Sequence, residues 1–277
     1  MTMRKLTGMV ITLCFCALIA GCGDETNGET AQIQENKPQP VIQIREDTKE
    51  STTGKEEDAA EPADGESEAR DAADPEEAFY ITEITDELFA RMEGKSFKED
   101  CTMPRDDLRY LHVLHKTLEG ETKEGELVVN VHIAETVLDI FKQLYEADYP
   151  IEKIRLVDEY DADDERSMED NNTSCFNFRM VPRTKRISKH GRGLAIDLNP
   201  LYNPYVVNVN TDPEVSPANG EAYADRSLDF PYKIDENDTA YILFTQNGFA
   251  WGGAWKNEKD YQHFEIPSEK IREWYPE

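Results

Sequence analysis

The chain has 277 residues, and its 58 acidic residues outnumber its 30 Lys and Arg residues, which gives a formal net charge of −28. This charge argues against a protein that binds nucleic acid by neutralising phosphates, because such a protein needs a basic surface. Hydrophobic residues make up 38% of the chain, below the roughly 45–50% of ordinary globular domains. The sequence has no run of 18 apolar residues, so an ordinary membrane-spanning helix is not expected.

The N-terminus has the pattern of a secretory signal. Arg4 and Lys5 precede a short apolar stretch, residues 6–20, which is followed by Gly21 and Cys22. Residues 19–22, Ile-Ala-Gly-Cys, resemble a bacterial lipobox, in which the signal is cut before a cysteine that receives lipid. We therefore predict a lipoprotein signal peptide over residues 1–21 and lipidation of Cys22. The protein would then be extracytoplasmic and anchored to a bacterial membrane by lipid; plain secretion is the alternative.

The segment after Cys22 is predicted to be a disordered acidic linker that extends to residue 77. Residues 23–77 lack Phe, Trp and Tyr and contain 18 acidic and 5 basic residues. Low hydrophobicity with high net charge cannot offset the entropy lost on folding. The linker is interpreted either as a spacer from the membrane or as a solubilising tail. Beyond it, Cys101 and Cys175 could form a disulfide or remain two free thiols.

Residues 78–277 are predicted to form an α+β domain with a mainly antiparallel sheet, because helices and strands do not alternate regularly. Expected helices cover residues 85–92, with Thr85 as the N-terminal cap, 134–147 and 239–246. Expected strands cover residues 108–118 and 126–133 as a hairpin, 154–157, 194–198, 249–255 and 261–266. Residues 199–229, rich in Pro and Asn, are expected to form a long connection.

The acidic residues 161–165 raise the question of a calcium site. An EF-hand loop needs Gly at its sixth position and Glu at its twelfth. Arg166 and Asn172 stand at those positions. We therefore predict a solvated acidic loop.

Histidine is scarce, with five in the chain, so each one can be considered separately. His190 is followed by two glycines and then by a predicted strand that carries Asp197, and His263 lies on another predicted strand. Two imidazoles and one carboxylate form a known catalytic zinc ligand set that leaves a fourth position open. From spacing alone, an ordinary hydrogen-bonded His–Asp pair is the alternative. The three remaining histidines, His112, His115 and His132, are predicted to be structural.

A signature of the form S-x-H-x-x-G-x-A-x-D supports the zinc interpretation. It is formed by Ser188, His190, Gly193, Ala195 and Asp197. The signature resembles that of a zinc peptidase family, the D-alanyl-D-alanine carboxypeptidases of the VanY type and the related L-alanyl-D-glutamate endopeptidases. The resemblance extends to residues 167–168, 171–174, 176–179, 203–205, 251–253 and 263–265 in the family's order. It implies a fold of the hedgehog/DD-peptidase type.

The resemblance also implies roles for individual residues. His190, Asp197 and His263 look like the ligands of Zn²⁺, and Asp260 stands where the family places its catalytic carboxylate. Because side chains alternate along a strand, Asp260 is expected on the turn that enters the strand of His263.

Two further positions are implied to contact substrate. Arg179 matches an arginine that holds the scissile carbonyl or a substrate carboxylate, with a surface ion pair as the alternative. Ser188 is expected to orient substrate or His190, or to be a plain turn residue.

Trp251 and Trp255 could line a substrate groove or pack in the core.

The sequence therefore predicts a zinc-dependent peptidase of peptidoglycan stem peptides, with D-alanyl-D-alanine carboxypeptidase as the first hypothesis. The carboxypeptidase branch more often has Glu at the position of Asp260, so an L-alanyl-D-glutamate endopeptidase is the first alternative. A cell-wall-binding lipoprotein that does not hydrolyse is the second. The sequence does not decide which peptide bond is cut.

Overall fold

The computed structural model describes residues 75–181 and 184–276. The predicted signal peptide, Cys22 and the predicted linker as far as residue 74 lie outside the described residues. The last part of the predicted linker belongs to a 3-10 helix, Pro75–Ala78. Within the described part of the chain, no helix has the length and apolar character needed to cross a membrane.

The described residues form five α-helices and eleven strands, most of them short. The helices are α1 (Asp86–Met92), α2 (Ala134–Glu146), α3 (Asp164–Glu169), α4 (Thr239–Gln246) and α5 (Ser268–Trp274). The strands are β1 (Tyr80–Glu83), β2 (Leu108–Lys116), β3 (Thr122–Asn130), β4 (Lys153–Ile154), β5 (Asn172–Thr173), β6 (Ala195–Asp197), β7 (Tyr205–Val207), β8 (Glu214–Ser216), β9 (Ala250–Trp251), β10 (Lys259–Asp260) and β11 (His263–Glu265).

The three predicted helices are confirmed. Thr85 caps α1 by accepting a hydrogen bond from the amide of Leu88, as a threonine before a helix commonly does. Helix α2 buries Val137, Ile140 and Leu144, which recur at helical spacing. Helix α4 has the predicted boundaries and is capped by Asp238.

The predicted hairpin is β2 and β3, but its second strand is shifted. Strand β3 covers Thr122–Asn130 and not residues 126–133, because a tight turn at Gly120, which has φ +81°, lets the two strands pair soon after β2 ends. Residues 131–133 form the turn into α2. One face of the hairpin carries Leu111 and Leu127 into the core cluster around α2, and the other carries Leu108 and Val128 into a smaller cluster with α1.

The mainly antiparallel α+β class is confirmed, although the strands form several small sheets. The orders are β1-β2-β3, β10-β7-β8 and β6-β11-β9, all antiparallel, and β4 pairs with β5 in parallel. The strand predicted over residues 154–157 is reduced to β4, because the chain turns into a 3-10 helix at Val157–Tyr160. The predicted connection 199–229 contains β7 and β8, which its Pro-rich and Asn-rich composition concealed.

An aromatic cluster joins α2 and α4 to the sheet that carries β6 and β11. The Phe244 ring stacks on Phe264 at 4.5 Å between centroids and meets Phe141 and Phe249 edge to face at 6.4 and 5.2 Å. Phe244 and Phe264 are fully buried. Since Phe264 follows His263 directly, this packing helps to fix the backbone of β11.

Replacing Phe244 by Ala should therefore lower the free energy of unfolding by about 3–5 kcal/mol, the usual cost of removing a buried phenyl ring. Urea denaturation of the purified protein would measure it. The matched control is Ile242→Ala on the same helix, since Ile242 is 39% exposed and should change stability far less. Equal losses in the two variants would contradict the packing described for Phe244.

Candidate metal centre

Three short elements place the predicted ligands side by side. His190 begins a 3-10 turn, His190–Arg192, and Gly193 follows in the left-handed region with φ +65°. A Cβ at Gly193 would lie 2.8 Å from the backbone nitrogen of Asn130, so both the conformation and the space require glycine. The chain then enters β6, which ends at Asp197. In the antiparallel register, Asp197 is the direct partner of His263 on β11.

The side chains of these three residues converge. Nε2 of His190 lies 3.2 Å from Oδ2 of Asp197, and Nδ1 of His263 lies 2.9 Å from Oδ1 of Asp197. The two imidazole nitrogens are 3.1 Å apart. One donor atom from each residue lies within 4.8 Å of the others, so the group could hold a metal ion. The structure thus brings together all three residues that the sequence predicted as ligands.

Hydrogen bonds outside the group determine which nitrogen of each histidine faces inward. Nδ1 of His190 lies 2.7 Å from the carbonyl oxygen of Cys175. Because a carbonyl oxygen can only accept a hydrogen bond, Nδ1 carries the proton, and the unprotonated Nε2 is free to bind a metal. Nε2 of His263 lies 3.1 Å from Oε2 of Glu265, which leaves Nδ1 facing Asp197. Such outer partners commonly orient metal-binding histidines.

Glu265 was missed by the sequence analysis, although it stood in the segment 263–265 that carried the resemblance. Its Oε1 lies 2.6 Å from Nζ of Lys189. A carboxylate two residues after a ligand histidine on one strand shares its face, because side chains alternate along a strand. That spacing was the signal that could have identified Glu265.

The electrostatics of the group favour a cation. Burial opposes the ionisation of Asp197, but the charges and hydrogen bonds of His190 and His263 outweigh it and hold the pKa of the Asp197 carboxyl far below its usual value. Burial likewise opposes protonation of His263, yet its hydrogen bonds to Asp197 and Glu265 raise its pKa to about 10. Without a metal, His263 therefore carries the positive charge of the group, and a bound cation would replace the proton on its Nδ1.

Asp260 lies beside this group. Desolvation by burial raises the pKa of the Asp260 carboxyl to about 7, and the charges of His263 and Arg179 oppose this rise, whereas those of Asp197 and Glu258 add to it. Its Oδ1 is buried and has no hydrogen-bond partner among the described residues. A carboxyl with a raised pKa and an unused oxygen is suited to accept and donate a proton.

The prediction that Asp260 lies on a turn was wrong in detail. Asp260 belongs to β10 and pairs with Tyr205 of β7, whereas His263 begins β11 and pairs with Asp197. The two residues are on different strands that are joined by Tyr261 and Gln262. The alternation of a single strand therefore does not apply, and both side chains can serve one site.

Gly252 makes room for Asp260. A Cβ at Gly252 would lie 2.6 Å from the carbonyl oxygen of Asp260, 2.7 Å from its Cβ and 3.3 Å from the Cβ of His263. Real Cβ atoms do not approach other atoms so closely, so any larger residue would displace Asp260. Gly252 belongs to the segment 251–253 of the resemblance, but the sequence alone does not show why glycine is needed there.

The two tryptophans near this point have different positions. Trp251 is buried in the core, and its indole nitrogen donates to the carbonyl of Tyr261 at 2.9 Å. The Trp255 ring lies 5.5 Å from the imidazole of His263, centroid to centroid. Only Trp255 is therefore a candidate to line a substrate groove.

Arg179 forms an ion pair, and its charge acts on the site. Its Nε donates to Oδ2 of Asp164, and Oδ1 of Asp164 accepts from Nδ2 of Asn177 at 2.8 Å. The guanidinium charge is close enough to lower the pKa of Asp260 in part. The guanidinium is thus held by a carboxylate that the sequence patterns did not indicate, at a position from which its charge acts on Asp260.

The prediction of a solvated acidic loop holds for residues 161–163, a turn in which Asp161 and Asp163 are exposed, and is wrong for Asp164 and Glu165, which begin α3. Asp163 caps α3, Asp164 holds Arg179, and Glu165 accepts hydrogen bonds from the Ser216 hydroxyl and the Ala218 amide. The acidic run thus links α3 to the site and to the segment after β8.

Ser188 supports the turn that carries His190. Its side chain is buried, and its hydroxyl oxygen accepts from the amide of Gly191 at 2.8 Å. Its own amide donates to the carbonyl of Arg179 at 2.9 Å. This geometry fits the orientation of His190, and a contact between Ser188 and substrate stays a prediction.

The remaining histidines and the cysteines do not belong to the candidate metal-binding group. His115 is buried with Nδ1 on the carbonyl of Ile151, His112 contacts the carbonyl of Ala78, and His132 stacks on Trp274. These structural positions agree with the prediction. Cys101 and Cys175 are free thiols.

Part of the chain matches a known protein family. Residues 182–266 match a family model described as D-alanyl-D-alanine carboxypeptidase, and this match confirms the family that the motifs indicated. The matched segment contains the three candidate ligands, Asp260 and Glu265, whereas Arg179 precedes it. No curated protein and no solved structure matches the chain.

Proposed function

We propose that this chain, whose residues 182–266 match the D-alanyl-D-alanine carboxypeptidase family, is a zinc-dependent peptidase that trims peptidoglycan stem peptides. The observation that carries the proposal is the convergence of His190, Asp197 and His263 with the buried carboxyl of Asp260 inside the matched segment. Together they supply a ligand set and a proton carrier, the two parts that metal-assisted hydrolysis requires.

The residues present fit a zinc ion. Two imidazoles and one carboxylate make a three-residue set that leaves a coordination position for water or substrate. The outer hydrogen bonds leave Nε2 of His190 and Nδ1 of His263 as the nitrogens that would bind the metal. When bound, zinc would polarise the scissile carbonyl and bring the pKa of the attacking water to about 7.

The protein's own residues carry the proton and hold the substrate. Asp260 accepts a proton from the attacking water through its unpartnered Oδ1 and then donates that proton to the leaving amine. Arg179, held by Asp164 at the edge of the site, offers the rest of its planar group of donors to the scissile carbonyl or to a substrate carboxylate. Ser188 keeps the turn of His190 in place.

D-alanyl-D-alanine carboxypeptidase activity is the specific form of the proposal. The description of the matched family supports it. Because the carboxypeptidase branch more often has Glu at position 260, the Asp at this position leaves L-alanyl-D-glutamate endopeptidase as the alternative. We propose the hedgehog/DD-peptidase fold for residues 78–277, supported by the antiparallel pairing of β6, β9 and β11 around the ligands.

We further propose that the domain acts outside the cytoplasmic membrane, tethered by lipid on Cys22 and by the acidic segment that follows. The basic start, the short apolar stretch and the lipobox-like residues 19–22 support this location. Several acyl chains on one residue would anchor a protein stably, whereas one chain binds only marginally. Metabolic labelling with a fatty-acid analogue, lost in Cys22→Ala, would test it.

The test of the catalytic proposal is mass spectrometry of purified muropeptides after incubation with the protein, before and after metal removal by a chelator and again after zinc is restored. Zinc-dependent loss of one terminal alanine would support the carboxypeptidase. Cleavage after L-alanine would move the activity to the endopeptidase. A protein that binds zinc and muropeptides without cleaving them would be the non-hydrolytic wall-binding lipoprotein.

A further inference from the structure

A shielded ion pair lies directly outside the proposed ligand set. Nζ of Lys189 is 2.6 Å from Oε1 of Glu265, and the two side chains are only 20% and 15% exposed. The surface pair of Lys270 and Glu273 on α5, at 2.7 Å, is 52% and 63% exposed. The first pair is therefore shielded from water, and salt screens such a pair much less than it screens a surface ion pair.

Both oxygens of Glu265 are in use, and each has a different partner. Oε1 accepts from Lys189, and Oε2 accepts from Nε2 of His263 at 3.1 Å. Lys189 itself directly precedes His190. The pair therefore connects the backbone next to one candidate ligand with the imidazole of the other.

We propose that Glu265, held in place by Lys189, is a positioning residue that directs Nδ1 of His263 toward the metal. A neutral imidazole has one protonated nitrogen and one free nitrogen, and the hydrogen bond made by the first decides which nitrogen is free. Glu265 binds Nε2–H, so Nδ1 remains for coordination beside Asp197. This inference rests on the proposed metal centre and adds a role for two residues outside the ligand set.

The arrangement makes the two histidines unequal. His190 presents Nε2, because a backbone carbonyl holds its Nδ1, whereas His263 presents Nδ1, because a side-chain carboxylate holds its Nε2. A point mutation cannot remove the carbonyl but can remove the carboxylate. The choice of the metal-facing nitrogen therefore depends on a side chain for His263 and on the backbone for His190.

The experiment measures the zinc dissociation constant of the full chain by competition with a chromogenic chelator. Glu265→Gln keeps the size but removes the charge, and should weaken zinc binding about 10–100-fold, the usual effect of losing an outer partner of a ligand histidine. Lys189→Met should weaken zinc binding by a smaller factor, and Lys189→Arg should retain most of the wild-type zinc affinity. In the Glu265→Gln background, Lys189→Met should cause no further loss, because Lys189 acts through Glu265.

The matched control is the surface pair, since Lys270→Met and Glu273→Gln remove the same groups away from the site and should leave zinc affinity unchanged. Urea denaturation of each variant without added metal separates positioning from stability. A pair that only supported the fold would lower stability and leave the zinc affinity of folded protein intact, which would overturn the inference. Absence of zinc binding by the wild-type protein would overturn the metal centre itself.

Discussion

Replacing Asp260 by Asn is expected to lower kcat by about 10²–10⁴-fold, the contribution of a positioned general acid–base. Asn has nearly the same shape but cannot accept the proton of the attacking water and pass it to the leaving amine. Zinc affinity should stay near that of the wild-type protein, because Asp260 is not in the proposed ligand set. Single-turnover kinetics on a purified muropeptide, together with zinc titration, would measure both quantities.

Gly252→Ala provides a second test of the same residue. The new Cβ would lie 2.6–2.7 Å from atoms of Asp260, so Asp260 must move although its carboxyl is retained. Activity should therefore fall in this variant too. Asp139→Asn, at an exposed position on α2, should leave kcat unchanged. Wild-type kcat in Asp260→Asn would show that another group carries the proton, and Glu258, whose charge reaches Asp260, would be the next residue to test.

Replacing Asp197 by Asn should abolish tight zinc binding and, with it, hydrolysis. Asp197 lies within hydrogen-bonding distance of both histidines and is the anionic member of the proposed ligand set. The loss of zinc affinity should exceed the about 10–100-fold expected for an outer partner. Zinc content after dialysis and titration with the metal would measure it.

Asp170→Asn is the matched control for Asp197→Asn. Asp170 accepts from Lys153 at 2.6 Å and from Tyr160 at 2.7 Å, outside the metal-binding group. Its replacement should affect stability without changing zinc affinity. Full zinc occupancy in Asp197→Asn would contradict the assignment of Asp197 as a ligand.

The sequence by itself determined the features that depend on residues close to one another along the chain. Helices α2 and α4 follow from apolar periodicity and capping within their own segments. The candidate ligands His190 and Asp197 share one local signature, and Gly193 between them is required by a turn that the motif already implies. His263 was predicted as a ligand because histidine is scarce in the chain and because of the resemblance.

Only the tertiary structure decided the features that join distant segments. The partnership of Lys189 with Glu265 depends on how β11 pairs with β6, and the hold of Asp164 on Arg179 depends on where α3 packs. Spacing in the sequence does not encode such contacts, because strand pairing sets them. The same holds for Asp260: its pKa, its neighbour Gly252 and its place on a separate strand all follow from burial between segments.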